Sequence, residues 1–123
     1  MSDQDEVARL KEAMWKRQFF LMSRKMKSPE KLQATSLAHY QWVISQEKEG
    51  RIFLSGPSFE LDGTPAGGMT VLRVENEADA RALAEADPFV AEGVVDYTLK
   101  RWQINEGSLQ VRLDLSDMKG QAQ

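Results

Sequence analysis

The sequence predicts an α+β domain, and three observations carry that prediction. Two apolar runs, residues 51–55 and 69–74, face each other across a polar connection, as in a hairpin. Alanine recurs at every second position from 78 to 86, which favours a helix that lies close to a sheet. Within residues 94–104, apolar and polar residues alternate from Val95 to Lys100, as in a half-buried strand at the edge of a sheet. Helices and strands therefore share one domain.

Residues 1–14 read as a separate helical arm. Ser2, followed by several acids, is a capped helix start with negative charge near the positive end of the helix dipole. Val7, Leu10 and Met14 form one apolar stripe. Such a stripe is a marginal anchor, so the arm either packs on a dimer or is partly disordered.

Residues 15–26 are predicted as the first strand. Phe19 and Leu21 point to one face, and Phe20 and Met22 to the other, so we expect a central strand. A long helix follows, with Ser28 as its cap, Pro29 at its first position and Gly50 just past its end.

The connection of the hairpin is predicted as a loop over residues 58–66. Asp62-Gly63 and Pro65 supply turn geometry, and Gly67-Gly68 lets the backbone approach a neighbour closely. This loop could therefore form part of a binding or catalytic site.

The next helix is predicted to begin at the cap Asn76 and to break at Asp87, because proline disfavours the helical conformation of the preceding residue. Pro88 then starts a short second helix closed by Gly93. After the strand over 94–104, residues 109–115 alternate again and predict an extra strand. It would continue the sheet as a hairpin or pair with a partner chain, and residues 116–123 should fray.

Several short motifs occur together in a characteristic order. They are His39, Gly50-Arg51, Ser55-Gly56-Pro57, Gly67-Gly68, the run Ala-Asp-Pro-Phe-Val-Ala at 86–91, and Gly93-Val94. In order and spacing the chain resembles the YCII-related (YciI-like) family over residues 15–104, leaving 105–123 as a C-terminal strand and tail. The run containing Asp-Pro-Phe is the most specific part of the resemblance.

The resemblance implies a ferredoxin-like βαββαβ antiparallel sheet that dimerises face to face into an α+β barrel, with a histidine and an aspartate facing a cleft. It implies a homodimer or higher homo-oligomer with a small-molecule ligand. The chain departs from the family pattern at Ser36. Many relatives resemble Arg-Pro-x-His before the histidine, and Ser36 stands in place of that arginine, so an anion-binding role of the arginine is not carried over to this chain.

Composition excludes several classes of protein. The 123 residues contain no cysteine, which excludes disulfides and thiolate metal sites. No apolar run approaches the ~20 residues of a membrane span, and no signal peptide is evident, so we expect a cytoplasmic protein without membrane partners. Residues 11–31 hold seven Lys or Arg against two acids. We interpret them as a solvated strand end and helix start, and expect no nucleic-acid partner.

No motif indicates a metal or a phosphate loop. A lone histidine excludes histidine-rich metal sites, and neither a Walker loop nor a Gly-x-Ser-x-Gly motif is present, so we expect no metal and no cofactor. The remaining candidates for catalysis are His39 and Asp87. If Asp87 caps the helix begun by Pro88, its charged form is favoured, and it would orient His39, which acts as general acid and base.

Five residues are candidate substrate contacts: Ser55, Gly56, Pro57, Gly68 and Tyr40. Four of the candidates have a structural alternative. His39 would pin helix to sheet, and Asp87 would only cap a helix. Tyr40 would belong to the core, and Ser55 would serve a turn.

Two functions from different classes remain open. The first is a cofactor-independent proton-transferring enzyme, a lyase, isomerase or dehydrochlorinase-like protein, since relatives look like enzymes acting on ring-derived acids or phenols. The second is a non-catalytic ligand-binding or dimeric structural module, in which the same residues cap and pin the fold.

Overall fold

The computed structural model describes residues 2–122. The predicted α+β class and the four-stranded antiparallel sheet are confirmed. In chain order the elements are α1 (Asp3–Glu12), β1 (Arg17–Met26), a 3-10 turn (Pro29–Lys31), α2 (Leu32–Lys48), β2 (Ile52–Phe59), β3 (Pro65–Leu72), α3 (Glu77–Ala86), α4 (Pro88–Ala91), β4 (Val95–Ile104), β5 (Val111–Asp114) and β6 (Lys119–Ala122).

The main sheet has the strand order β2-β3-β1-β4. β1 is therefore central, as its two apolar faces predict, and β4 lies at an edge, as its alternation predicts. The register places Leu54, Val71 and Leu21 in one row across three strands. Neighbouring rows point to the opposite face, because successive side chains of a strand alternate.

The hydrophobic core lies between the sheet and α3. The sheet contributes Met22, Ile52 and Leu72, and the helix contributes Leu83 and alanines such as Ala84. Because alanine carries only a methyl group, α3 can lie close to the strands. A second cluster, formed by Phe89, Val94 and Val95, closes the end of the domain near α4.

The helix boundaries mostly follow the predicted signals. The Asn76 side chain accepts a hydrogen bond from the backbone N–H of Asp79, and α3 ends before Asp87, which is extended at ψ 122°. Gly50 has a φ of +81° past the end of α2. The predicted Ser28 cap is wrong, because its side chain caps nothing and Pro29 instead begins a 3-10 turn ahead of α2.

The loop predicted over 58–66 is too long. β2 continues through Gly56 and Pro57 to Phe59, and β3 already begins at Pro65. Pro57 is tolerated there because β2 is an edge strand, where a missing N–H need not break the ladder.

Residues up to Arg17, together with those from Gln103 onward, form a compact unit apart from Gln18–Trp102. In this unit Ser2 and Asp5 cap α1 reciprocally. The extra strand is present as β5, but it pairs with β6 rather than with the main sheet. The expected fraying is wrong for residues 116–122, because residues 115–118 turn and Lys119–Ala122 return along β5. Residue 123, which the same expectation covered, lies outside the described residues.

Gly67 fits where no other residue would. Its φ is +122°, and a Cβ there would lie 2.0 Å from the backbone oxygen of Arg24 on the neighbouring strand. A Cβ on Gly68 would lie 2.8 Å from the backbone oxygen of Gly56. The glycine pair thus allows β3 to approach both of its neighbours closely, as the sequence predicts.

We predict that Gly67→Ala lowers the free energy of unfolding by at least ~3 kcal/mol, because backbone strain and a steric clash add. Gly63→Ala is the matched control, since Gly63 has a φ of +93° but nothing within 4 Å of a Cβ. It should cost only ~1 kcal/mol. Urea denaturation measures both variants, and equal losses would contradict the close-approach argument.

Candidate active site

Two helix features place His39 and Asp87 together. His39 and Thr35, one turn apart on α2, are the buried residues of that helix. Asp87 lies at the junction between α3 and α4, where Pro88 forces the chain out of the helix. The break turns the carboxylate of Asp87 towards α2.

His39 Nδ1 lies 2.7 Å from Asp87 Oδ1. The same carboxylate oxygen accepts a hydrogen bond of 2.9 Å from the backbone N–H of Phe89, so Asp87 also caps α4, as predicted. An ionised carboxylate only accepts hydrogen bonds, so Nδ1 of His39 carries the hydrogen. The lone pair of the neutral ring is then on Nε2, and no hydrogen bond joins that nitrogen to any residue in the described part of the chain.

Asp87 is fully buried, yet its charge is favoured. Burial raises the pKa of its carboxyl group, but the hydrogen bond with His39 and the positive charge of Arg24 outweigh it, so that the pKa lies below the usual value. Asp87 therefore stays ionised near neutral pH and is a poor proton acceptor. It orients the imidazole and stabilises its positive charge when a proton is taken up.

Arg24 is a site residue that the sequence analysis missed. Its Nε donates to Asp87 Oδ2 over 2.7 Å, and its Nη1 donates to Thr70 Oγ1 over 2.7 Å. Arg24 is only 7% exposed, so placing it in a solvated basic segment was wrong. A signal was present, because Arg24 falls on the same face of β1 as the inward residues Phe20 and Met22.

A cavity of about 380 Å³ opens beside this network. Six of the seven predicted site residues line it: His39, Tyr40, Ser55, Gly56, Pro57 and Gly68. Asp87 does not line it, but two side chains that are hydrogen-bonded to its carboxylate, His39 and Arg24, do. Apolar side chains, including Met26, Leu32 and Val43, form much of the wall.

Aromatic rings hold the imidazole in place. The ring of Phe89 stacks on His39 with centroids 3.8 Å apart and planes 9° apart. Tyr40 meets the imidazole edge-on at 5.2 Å, and its side chain is half exposed rather than part of the core. The stacking with Phe89 was not expected from the sequence, although the Asp-Pro-Phe run places this ring two residues after the carboxylate.

The described residues contain no group of three or more His, Cys, Asp or Glu side chains placed to hold a metal ion. Within residues 2–122, no helix combines the length and hydropathy of a membrane span.

Residues 16–103 match the YCII-related domain family. The chain belongs to the YCII-related family. This assignment confirms the resemblance read from the motifs around His39 and Asp87. Among curated relatives, the uncharacterised protein YjpA of Bacillus subtilis (strain 168) is 28% identical over 68 residues, which is 55% of this chain and 75% of that protein.

A solved structure has a similar fold. It is 5-chloro-2-hydroxyhydroquinone dehydrochlorinase (TftG) from Burkholderia phenoliruptrix AC1100, in complex with 2,5-dihydroxybenzoquinone. The TM-score is 0.57 at 24% sequence identity, and the match covers 68% of this chain and 92% of that chain. At this level of identity the likeness shows the fold alone.

The lowered pKa of Asp87 predicts a specific pH dependence of stability. Because the pKa is lower in the folded chain, the stabilisation is fully present above the unfolded value of about 3.9 and is lost as the pH falls through the folded value. At pH 7, Asp87→Asn should lose ~3–5 kcal/mol of unfolding free energy, since Arg24 becomes an uncompensated buried charge. The wild-type and Asp87→Asn curves should converge in acid.

Urea denaturation between pH 7 and pH 2.5 would measure this convergence. Asp62→Asn is the control, because the pKa of Asp62 is also lowered, by its hydrogen bond with Thr64, but on an exposed loop. A constant gap between wild type and Asp87→Asn across the pH range would contradict the proposed ionisation.

Proposed function

We propose that this YCII-related protein is a small-molecule enzyme that transfers protons without a cofactor, with His39 as general acid and base. The observation that carries the proposal is the 2.7 Å contact between His39 Nδ1 and the buried Asp87 carboxylate. His39 also lines the cavity. A fixed imidazole with a basic Nε2 at an apolar cavity suits proton abstraction.

The chemistry is that of a lyase, an isomerase or a dehydrochlorinase. Nε2 of His39 accepts a proton from the substrate, and Asp87 stabilises the imidazolium that forms. In an isomerisation the same nitrogen returns the proton to another atom. In an elimination, the electron pair of the broken bond to hydrogen forms a double bond, and chloride leaves with the pair of the carbon–chlorine bond.

The site residues have distinct roles in this proposal. Asp87 is a positioning residue, since it acts through His39. Ser55 and Tyr40 offer hydroxyl groups to the substrate, while Gly56, Pro57 and Gly68 shape the wall beside them. The alternative of a non-catalytic module has one observation in its favour, because Asp87 also caps α4.

His39→Asn separates the two functions. We expect it to fold and to lose turnover by ~100-fold or more, the usual contribution of a general acid or base. Gln41→Ala, an exposed change on the same helix, should keep wild-type turnover. The measurements are chloride release from 5-chloro-2-hydroxyhydroquinone and solvent deuterium exchange next to the carbonyl of small keto acids, followed by NMR.

Either of two results would contradict the proposal that the protein is an enzyme. One is unchanged turnover in His39→Asn. The other is a wild-type protein that turns over none of these compounds, together with a His39→Asn variant that loses stability, which would favour the structural module.

We also propose that the protein forms a homodimer through the face of the sheet opposite α3. Leu54 and Met69 are 59% and 50% exposed on that face, and Leu21 lies half-buried in the same row as Leu54. An open apolar sheet face is typical of an interface, and a second copy would pair it with an identical surface.

Sedimentation velocity tests the dimer. The double variant Leu54→Lys/Met69→Lys should sediment as a monomer while wild type sediments as a dimer or larger assembly, because a buried unpaired charge strongly opposes association. Leu61→Lys is the control, since Leu61 is fully exposed on the hairpin turn. A wild-type monomer, or a double variant that stays dimeric, would contradict this interface.

A further inference from the structure

One chain of hydrogen bonds links five side chains from different parts of the fold. It runs from His39 to Asp87, Arg24, Thr70 and Ser55, with 2.7 Å at each step. Both ends line the cavity, whereas Asp87 and Thr70 have no exposed surface. The His39–Asp87 pair is therefore one half of a longer network.

The guanidinium of Arg24 has a nitrogen whose hydrogens are not used in hydrogen bonds within the described chain. Nε and Nη1 are used by Asp87 and Thr70, but Nη2 is buried and has no hydrogen-bond partner within the described chain. Buried polar groups are normally paired, and an arginine nitrogen can only donate. Arg24 lines the cavity, so the missing acceptor can be an oxygen of a bound ligand.

Ser55 supplies a second donor at the same end of the network. Thr70 Oγ1 accepts from Arg24, and when its own hydrogen is directed to Ser55 Oγ, the serine hydrogen is free to point into the cavity. A cation at the head of such a chain polarises each hydroxyl in turn and makes the last one a stronger donor.

The lining of the cavity indicates the charge of the ligand. Arg24 is charged, and no Asp or Glu lies among the residues described around the cavity. The single carboxylate of the network, Asp87, is already neutralised by Arg24 and sealed from the cavity. The site therefore offers hydrogen-bond donors, among them those of a charged guanidinium, but no anionic group to hold a cation.

We infer that the Arg24–Ser55 end of the cavity binds an anionic oxygen of the substrate, a carboxylate or an ionised phenol or enol, while His39 moves the proton. Arginine suits such an oxygen because its planar donors match it. The apolar wall from Met26 and Leu32 then covers the carbon skeleton, which makes a small ring-bearing or aliphatic monoacid the expected ligand class. The inference rests on the proposed use of this cavity as a small-molecule site.

A matched pair of probes tests the inference without any turnover. Benzoate and benzamide have nearly the same shape, but only benzoate is charged. Titrated into full-length ¹⁵N-labelled protein and followed by NMR, benzoate should bind at least ~10-fold more tightly than benzamide, as expected for a charge-assisted hydrogen bond.

Two variants assign the preference to the network. Ser55→Ala and Arg24→Lys should each weaken benzoate binding by ~10-fold while changing benzamide binding far less. Arg24→Lys also disturbs the buried pair with Asp87, so Ser55→Ala decides the question if the lysine variant does not fold. Ser36→Ala is the control, because that hydroxyl lines the cavity but already donates to the backbone oxygen of Leu32.

Three results would overturn the inference: equal binding of the two probes, no saturable shifts at cavity residues with either probe, or the same loss in Ser55→Ala and Ser36→Ala. His39→Asn separates the inference from the proposed function. If it keeps the benzoate preference, the anion site stands, whether or not the wild type shows turnover. If it abolishes that preference, the Arg24–Ser55 end is not an independent binding site.

Discussion

The buried carboxylate of Asp87 is the group on which the rest of this structure depends. A carboxylate without exposed surface is tolerated only when its charge is paired and its oxygens accept hydrogen bonds. Here the donors come from three places, namely Arg24 on β1, His39 on α2 and the backbone of Phe89 on α4. The helix, the central strand and the helix junction are thus fixed to one another by the need to satisfy one group.

This arrangement keeps the charged carboxylate of Asp87 away from the cavity in which the proposed proton transfer takes place. The ion pair of Asp87 and Arg24 is buried, and Asp87 itself does not line the cavity. The cavity meets three other side chains of the hydrogen-bond network instead: the oriented imidazole of His39, the guanidinium of Arg24 and, beyond Thr70, the hydroxyl of Ser55. The structural and the functional interpretations of Asp87 are therefore compatible. The same carboxylate caps α4 and holds His39, while its interactions with His39 and Arg24 keep it ionised.

Local sequence signals predicted most of the architecture. The proline after Asp87, the cap at Asn76 and the glycines at 67 and 68 each act on the backbone within a few residues, so their effects could be inferred without knowing the fold. The early end assigned to β2 was wrong for the opposite reason. Whether Pro57 can stay in a strand depends on the strand being at an edge, which is a property of the whole sheet.

The sequence predicted one part of the candidate site and missed another. His39 and Asp87 could be paired through the family resemblance, and six of the seven expected residues line one cavity. Arg24 was counted as a surface charge, because a net charge over a segment ignores which face of a strand each residue occupies. Thr70 gave no signal of its own, since its role depends on a register between β1, β2 and β3 that only tertiary structure defines.

The sequence separations within the network bear on when the site forms. Asp87 is 48 residues from His39 and 63 from Arg24, and Arg24 is 46 from Thr70. Contacts this distant in sequence form only after the intervening chain has been ordered, because closing each long loop costs conformational entropy. During synthesis, Arg24 and His39 emerge well before the carboxylate that pairs them. A partly folded chain can hold the helices and the hairpin, but the site is incomplete until β1 and α2 have packed against the α3–α4 junction that carries Asp87.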